Sequence, residues 1–282
     1  MNADRSAADM TQRQKLSVVI PCKDEERNIL QCIASVGEVA DEIVVADSGS
    51  VDQTLEKVRQ QGDCRIVQRE FVSYSSFKSW AILQATHRWV LTLDADERLT
   101  PAAAKEIRTL LASEPPCDGY KIRRVNHCLG HPLRHGPARR DWPLRLFRGD
   151  LASYNDCRVH ESIQLVSDRV GKLREPMIHF AYWSIADYAR KGQLYADLAA
   201  EDLHITGRRT GFFKLLSAWP VRFFKCYVLQ RGFLDGVPGL VHSLLSASYT
   251  MNKYLSLWSL SKQSQREQID PEPVYDAKQV AA

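Results

Sequence analysis

The nine residues Trp89-Val90-Leu91-Thr92-Leu93-Asp94-Ala95-Asp96-Glu97 constrain this chain more than any other stretch. The apolar run 89–93 has the length of a buried strand, and it stops abruptly on carboxylates. Thr100-Pro101 then opens a helix. A strand ending this way delivers Asp94 and Asp96 to the carboxyl edge of a sheet, where open α/β sheets bind ligands. Two carboxylates one residue apart repel each other, and a divalent cation shared with a ligand's phosphate oxygens makes such a cluster favourable. A solvated acidic turn capping the next helix would use the same residues, so the surrounding chain decides between the two.

That chain alternates strand and helix. The run 16–20 ends on Pro21 and a charged loop at 22–28, after which Ile29, Cys32, Ile33 and Val36 recur at helical spacing. A second strand at 42–46 leads into the polar turn Asp47-Ser48-Gly49-Ser50-Val51-Asp52-Gln53-Thr54, where Ser50 and Gln53 fit a capping box, with Leu55 and Val58 continuing on a helix face. A third strand is expected at 64–68 and a third helix at 75–87, with Trp80, Ala81 and Leu83 towards the sheet. This alternation predicts an α/β fold with a parallel sheet and right-handed crossovers, so that ligand loops collect at one edge. After a helix at 101–113, Pro115-Pro116 marks a change of style. Short strands at 120–124, 143–148 and 158–166 are expected to extend the sheet and build the second half of a cleft.

The region 185–205 reads as a helix with Tyr188, Leu194, Tyr195, Leu198 and Leu203 as its apolar positions. From Thr206 to Gly232 there is no acidic residue, while Arg208, Arg209, Lys214, Arg222, Lys225 and Arg231 are interleaved with eight aromatic or leucine side chains. Such a composition suits a helix lying in a membrane interface among anionic lipid heads. The ordinary alternative is a packed helix whose basic side is solvated. A further helical region spans 236–260, and a polar tail follows from Ser261. The expected organisation is a disordered tail at 1–15, a catalytic domain at 16–182, a helical, membrane-associated region at 183–262 and a polar tail at 263–282.

Composition excludes other classes. A net charge of +4 over 282 residues does not argue for nucleic acid. Seven scattered cysteines without a Cys-x-x-Cys pair read as reduced thiols rather than a disulfide framework or zinc site. Residues 1–15 are polar and lack the apolar core of a secretory signal.

Three features coincide: a first strand ending in Pro21 before an acidic loop, a second ending in Asp47-Ser-Gly-Ser-x-Asp-x-Thr, and a fourth ending in Asp94-Ala-Asp96-Glu97. The chain in this respect resembles glycosyltransferase family 2, inverting enzymes of the GT-A fold that use nucleotide-activated sugars. The resemblance covers 16–258 and implies a Rossmann-like mixed sheet flanked by helices, followed here by the C-terminal helical membrane-associating region. Val159-His160-Glu161, Ile178-His179, Lys191-x-x-x-Tyr195, Tyr227 and the run from Arg231 to Gly236 resemble the branch that adds a single sugar to the inner core of lipopolysaccharide. In that branch the characteristic activity is a β-1,4-glucosyltransferase acting on the first heptose. The resemblance thus implies UDP-glucose as donor, a lipid-linked core oligosaccharide as acceptor, and a peripheral site on the cytoplasmic face of a bacterial inner membrane. The Gln-x-x-Arg-Trp signature of processive synthases is absent, so one addition per encounter is expected.

The matched residues acquire roles by the same resemblance. Pro21 sets the turn that admits the nucleotide, Glu25 binds ribose hydroxyls, Asp47 accepts the imide N–H of uracil, and Lys78 reaches the base or the phosphates. Asp96 is the first-choice metal ligand, Asp94 contacts metal or ribose, and His179 or His160 completes the shell around Mg2+ or Mn2+. Inversion needs a base near the acceptor hydroxyl. Glu161 is the candidate, a departure from the commoner Asp, with Asp156 and Asp141 behind it and pairing with Arg158 as the structural alternative. Arg139, Arg140, Arg145 and Arg148 are expected to meet acceptor phosphates or else to be plain strand-edge charge. A polyprenyl phosphate or capsule-precursor acceptor, and a catalytically silent sugar-nucleotide-binding protein, remain open. Nucleotidyl transfer is disfavoured because Cys22-Lys-Asp-Glu-Glu replaces a glycine-rich loop.

Overall fold

Every side chain of β1, Leu16–Cys22, is buried, the pattern of a central parallel strand covered on both faces. The structure is a computed structural model and describes residues 13–154 and 163–269. The next elements are α1 Ile29–Val36, β2 Glu42–Asp47, α2 Thr54–Gln61, β3 Arg65–Gln68, α3 Tyr74–Ile82, β4 Trp89–Thr92, β5 Glu97–Leu99 and α4 Pro101–Leu110. Then come β6 Gly119–Lys121, β7 Arg124–Cys128, β8 His131–Pro132, β9 Leu144–Arg148, β10 Ala152–Tyr154, β11 Ile163–Leu165, β12 Val170–Lys172 and β13 Met177–Tyr182.

The main sheet has seven strands in the order β12-β6-β9-β4-β1-β2-β3. β4, β1, β2 and β3 run parallel, and β9 pairs antiparallel with β4 and β6. The period of two sorts the core: Val18 and Ile20 point to the face covered by α1 and α4, where Ile29, Ile33, Val36 and Ile107 lie. Val19 points to the opposite face with Val44, Val90 and Phe147, under Phe77, Ala81 and Ile82 of α3. Thr100 caps α4 by accepting from the Ala103 amide at 3.1 Å, with Pro101 in the first turn.

Several expectations are corrected. The helix α3 ends at Ile82, and Leu83 is 75% exposed rather than turned to the sheet. Ser50 does not cap α2; its hydroxyl donates to Asp47 and accepts from the Asp24 amide, while Asp52 Oδ1 accepts from the Thr54 amide and hydroxyl. The strands after Pro116 divide among three sheets. β6, β9 and β12 extend the main one, whereas β7, β8 and β13 join β5 in a four-stranded sheet of order β5-β13-β7-β8, and β10 and β11 form a separate pair. A short strand is claimed by whichever neighbour lets it bury its inner face, which local pattern does not encode.

The chain divides into two compact units at Trp183 and Ser184. The second unit contains α5 Ile185–Ile205, α6 Phe212–Phe224 and α7 Gly236–Ile269, so that α7 runs as far as Ile269, into the stretch expected to be a polar tail. Ser184 caps α5 by accepting from the Asp187 amide at 3.0 Å. The expected apolar positions Leu194 and Tyr195 are exposed, and Ala196 and Ala200 are the buried ones. Small side chains are what α5 turns inward because α7 is fastened close to it. Asn252 donates to Gln193 at 3.0 Å and Ser256 to Asp197 at 2.6 Å.

Candidate active site

The sheet opens between β1 and β4. From β1 the chain steps to β2 and β3 on one side, then returns to β4 on the other, which makes the β1/β4 gap a topological switch point. The β1–β4 ladder ends at Val19 and Thr92, but β1 stays paired with β2 as far as Cys22 and Asp47. Pro21, lacking an N–H, falls in the stretch that has left β4. Its contribution is to let the two strand ends part, with the loop after β1 on one side and Asp94 to Glu97 on the other.

The loops after β1 and β2 hold each other. The Val51 amide donates to Asp24 at 2.8 Å, the Glu26 amide to Asp52 at 3.1 Å, the Gln53 amide to Glu26 at 3.1 Å and the Glu25 amide to the Thr54 hydroxyl at 2.8 Å. Glu25 in turn accepts from Asn28 Nδ2 at 2.7 Å. Asp47 is fully buried at 0% exposure and is filled from within: it accepts from the Gly49 and Ser50 amides, the Ser50 hydroxyl and Gln68 Nε2. Asp47, expected to accept the uracil imide, is held here by donors of its own turn and by Gln68 of β3. These bonds shape the turn that carries Ser48 to Ser50.

Beyond β4 the charges form one connected chain. Lys78 of α3 meets Asp94 Oδ1 at 2.8 Å and Arg145 of β9 meets Asp94 Oδ2 at 2.7 Å. The same Arg145 nitrogen reaches Glu97 Oε1 at 2.6 Å, and Arg124 of β7 reaches that oxygen at 3.0 Å. Glu97, itself fully buried, turns its other oxygen to the Asp94 amide at 3.1 Å. Burial alone would push the Asp94 carboxyl up, but the Arg145 and Lys78 charges outweigh it and hold the group well below the usual carboxylate range. With a cation on each oxygen, Asp94 is already occupied as a charge partner. Burial and the neighbouring Glu97, Asp96 and Asp94 charges push the Cys32 thiol beneath this turn up, so it stays protonated.

The far end of the chain reaches His179. Arg124 Nε and Asn126 Nδ2 both donate to Asp141 Oδ2, at 2.8 and 3.2 Å. That bond turns the Asn126 oxygen towards His179 Nδ1, which it contacts. A ring whose Nδ1–H is held this way presents Nε2 as the acceptor, and Nε2 lies 3.5 Å from Asp96 Oδ2. Register explains the meeting: His179 of β13 stands opposite Glu97 of β5 on one side and Asn126 of β7 on the other. Among the described residues no three His, Cys, Asp or Glu side chains converge as a closed metal cage. An imidazole nitrogen facing a carboxylate is two donors, a set that fits Mn2+ or Mg2+ completed by a ligand's oxygens better than a structural metal site.

Other expectations resolve differently. Arg145 is buried against Asp94 and Glu97, and Arg148 pairs with Asp150 at 2.6 Å and Asp118 at 3.6 Å, so of the two readings left open for them these partners favour charge pairing within the protein over acceptor phosphates. Arg139 is exposed. The Arg140 side chain, and Asp156, Arg158, His160 and Glu161, lie outside the described residues. Sequence reasoning quoted Glu97 within the acidic motif but gave it no role, and it missed Arg124 and Asn126 as parts of the site. The period of two on β7, which puts Arg124 and Asn126 on one face, was the available signal. It also missed an aromatic stack in which Phe180 and Trp183 lie 4.7 Å apart, with Arg98 over Phe180 and Arg27 over Trp183. Trp183 Nε1 donates to Asn28 at 3.1 Å and so ties the end of β13 to the loop after β1.

A mixed sheet flanked by helices, with an acidic corner after its fourth strand, is the GT-A arrangement of the nucleotide-sugar transferases. The chain belongs to glycosyl transferase family 2, whose family model matches residues 17–159. It is similar to the lipopolysaccharide core biosynthesis glycosyltransferase LpsC of Rhizobium meliloti, 29% identical over 252 residues that cover 85% of this chain and 93% of the relative. An uncharacterized glycosyltransferase of Rickettsia conorii is 28% identical over 264 residues, 89% of this chain and 91% of the relative. Among solved structures, glucosyl-3-phosphoglycerate synthase of Mycobacterium tuberculosis, in complex with Mn2+ and uridine-diphosphate-glucose, matches with a TM-score of 0.47 at 16% identity. The match covers 70% of this chain and 81% of that one. TarS of S. aureus matches with a TM-score of 0.41 at 15% identity, covering 89% and 92%.

Proposed function

We propose that this family 2 glycosyltransferase moves glucose from UDP-glucose, with inversion, onto a heptose of the lipopolysaccharide inner core at the cytoplasmic face of the inner membrane. The donor half of this reading is carried by one observation: His179 Nε2 faces Asp96 at 3.5 Å in the turn after β4, where Lys78 pairs with Asp94 at 2.8 Å. The acceptor half is supported by the likeness to the Rhizobium meliloti core enzyme.

Each residue then has a task. Asp96 and His179 would hold Mg2+ or Mn2+, which when bound would supply Lewis-acid assistance to the departing diphosphate. Lys78, anchored by Asp94, reaches the donor's phosphates, and Glu25, held by Asn28, takes the ribose hydroxyls. Glu161 accepts the proton of the acceptor hydroxyl as its oxygen attacks the anomeric carbon from the face opposite the diphosphate. The bond from that carbon to the diphosphate oxygen breaks, and UDP departs with the electron pair.

The test is a panel of sugar nucleotides offered with truncated core acceptors, read by mass spectrometry and linkage analysis. Glucose appearing on heptose from UDP-glucose alone is the expected result. Transfer to polyprenyl phosphate, or none with any pair, overturns the acceptor or the transfer itself. Glu161→Gln should bind donor normally and lose transfer by a factor of about 10² to 10⁴; normal turnover moves the base elsewhere.

A further inference from the structure

The helix α6 is apolar on the side it does not pack. Its inner side carries Ala218 and Arg222, the latter donating from Nε to Ser246 of α7 at 3.0 Å. At 100° per residue the opposite side carries Phe213, Leu216, Pro220 and Phe224, and the three large ones are 82%, 63% and 53% exposed. The exposed series continues along the chain through Val228, Leu229, Phe233 and Leu234. A surface helix of a soluble unit normally turns polar residues outward, and a contiguous apolar face of this kind marks a binding surface. Beside it Trp219, Phe223 and Tyr227 stack at 5.3 Å intervals, rings with a wet edge and an apolar body.

Charge selects the occupant. Arg208, Arg209, Lys214, Lys225 and Arg231 are all exposed around this face, and no acidic residue occurs between Thr206 and Leu234. A second copy of the chain would bring like charges together, whereas an anionic lipid surface satisfies both the cations and the aromatic side chains. No helix among the described residues is long and apolar enough to cross a membrane. We infer that α6 and the turn after it lie in the plane of an anionic bilayer, with Phe213, Leu216 and Phe224 inserted at the level of the acyl boundary and the flanking cations among the phosphates.

This inference rests on the second unit alone and stands independently of the transfer reaction. Full-length protein is mixed with vesicles of phosphatidylcholine, or of phosphatidylcholine with phosphatidylglycerol, and sedimented at low and high salt. Binding to the anionic vesicles that weakens with salt is expected. Phe213→Asp with Phe224→Asp should lower the partition coefficient about tenfold or more, with an unchanged unfolding midpoint. Arg208→Glu with Arg209→Glu should remove the preference for anionic lipid. Failure of the wild-type chain to sediment with anionic vesicles at low salt overturns the inference, as does either pair binding like wild type. A wild-type dimer that Phe213→Asp dissociates would assign the face to a second copy instead.

Discussion

His179 Nε2 lies 3.5 Å from Asp96 Oδ2, with its other ring nitrogen against the Asn126 side-chain oxygen. Two acceptors facing each other need a proton or a cation between them, and a nitrogen with a carboxylate favours Mn2+ over the all-oxygen preference of Mg2+. Asp96→Asn and His179→Gln should each lower transfer by at least about 10² while leaving the unfolding midpoint near wild type. Mn2+ should support wild-type turnover at lower concentration than Mg2+. Full activity of either variant removes the metal from this position.

Asn126 acts on the same ring from behind. Losing an outer partner of a ligating histidine typically weakens metal affinity by about 10 to 100-fold. Asn126→Ala should therefore raise the Mn2+ concentration for half-maximal activity by that factor, with much of kcat recovered at saturating Mn2+. A fall in kcat that no amount of Mn2+ restores would show a different role.

Arg145 serves two carboxylates from within the protein. Removing one member of a buried pair typically costs about 3 to 5 kcal/mol because the other charges stay buried. Arg145→Met should depress the unfolding midpoint strongly, whereas Arg148→Met, at the strand edge, should change it little. Equal effects on chemical denaturation would contradict the difference in burial.

Acid stability has a definite sign. Burial raises the Glu42 carboxyl, but hydrogen bonds from Ser17, Thr86 and Arg65 outweigh it and hold the group at about 2, and Asp94 is likewise depressed. Such groups stabilise the fold above their unfolded values near 4 and lose that contribution as pH falls towards 2. Denaturation midpoints should drop over this window, and Glu42→Gln should flatten the drop. A Glu42→Gln curve parallel to wild type would show that Glu42 is not linked.

Much of the architecture was legible locally. The 89–93 run, its acidic end, and the strand-helix alternation before it depend on residues a few positions apart, so composition and period suffice. The Asp47 turn shows the limit: its residue types announce a special loop, but whether the carboxylate faces a ligand or its own backbone depends on Gln68, one strand away. Arg145 stayed between two readings because an arginine in a strand can serve solvent, ligand or core, and only the packing of β9 beside β4 brings it to Asp94.

Sequence by itself determined that four apolar segments would pair into a parallel sheet and that Asp94 and Asp96 would stand where the fourth one ends, since hydrophobic period and chain direction are local properties. Tertiary structure alone decided which carboxylate is held by cations and which meets the imidazole. Those partners come from β7, β9 and β13, and strand register is a sum over distant pairings that no neighbouring residue encodes.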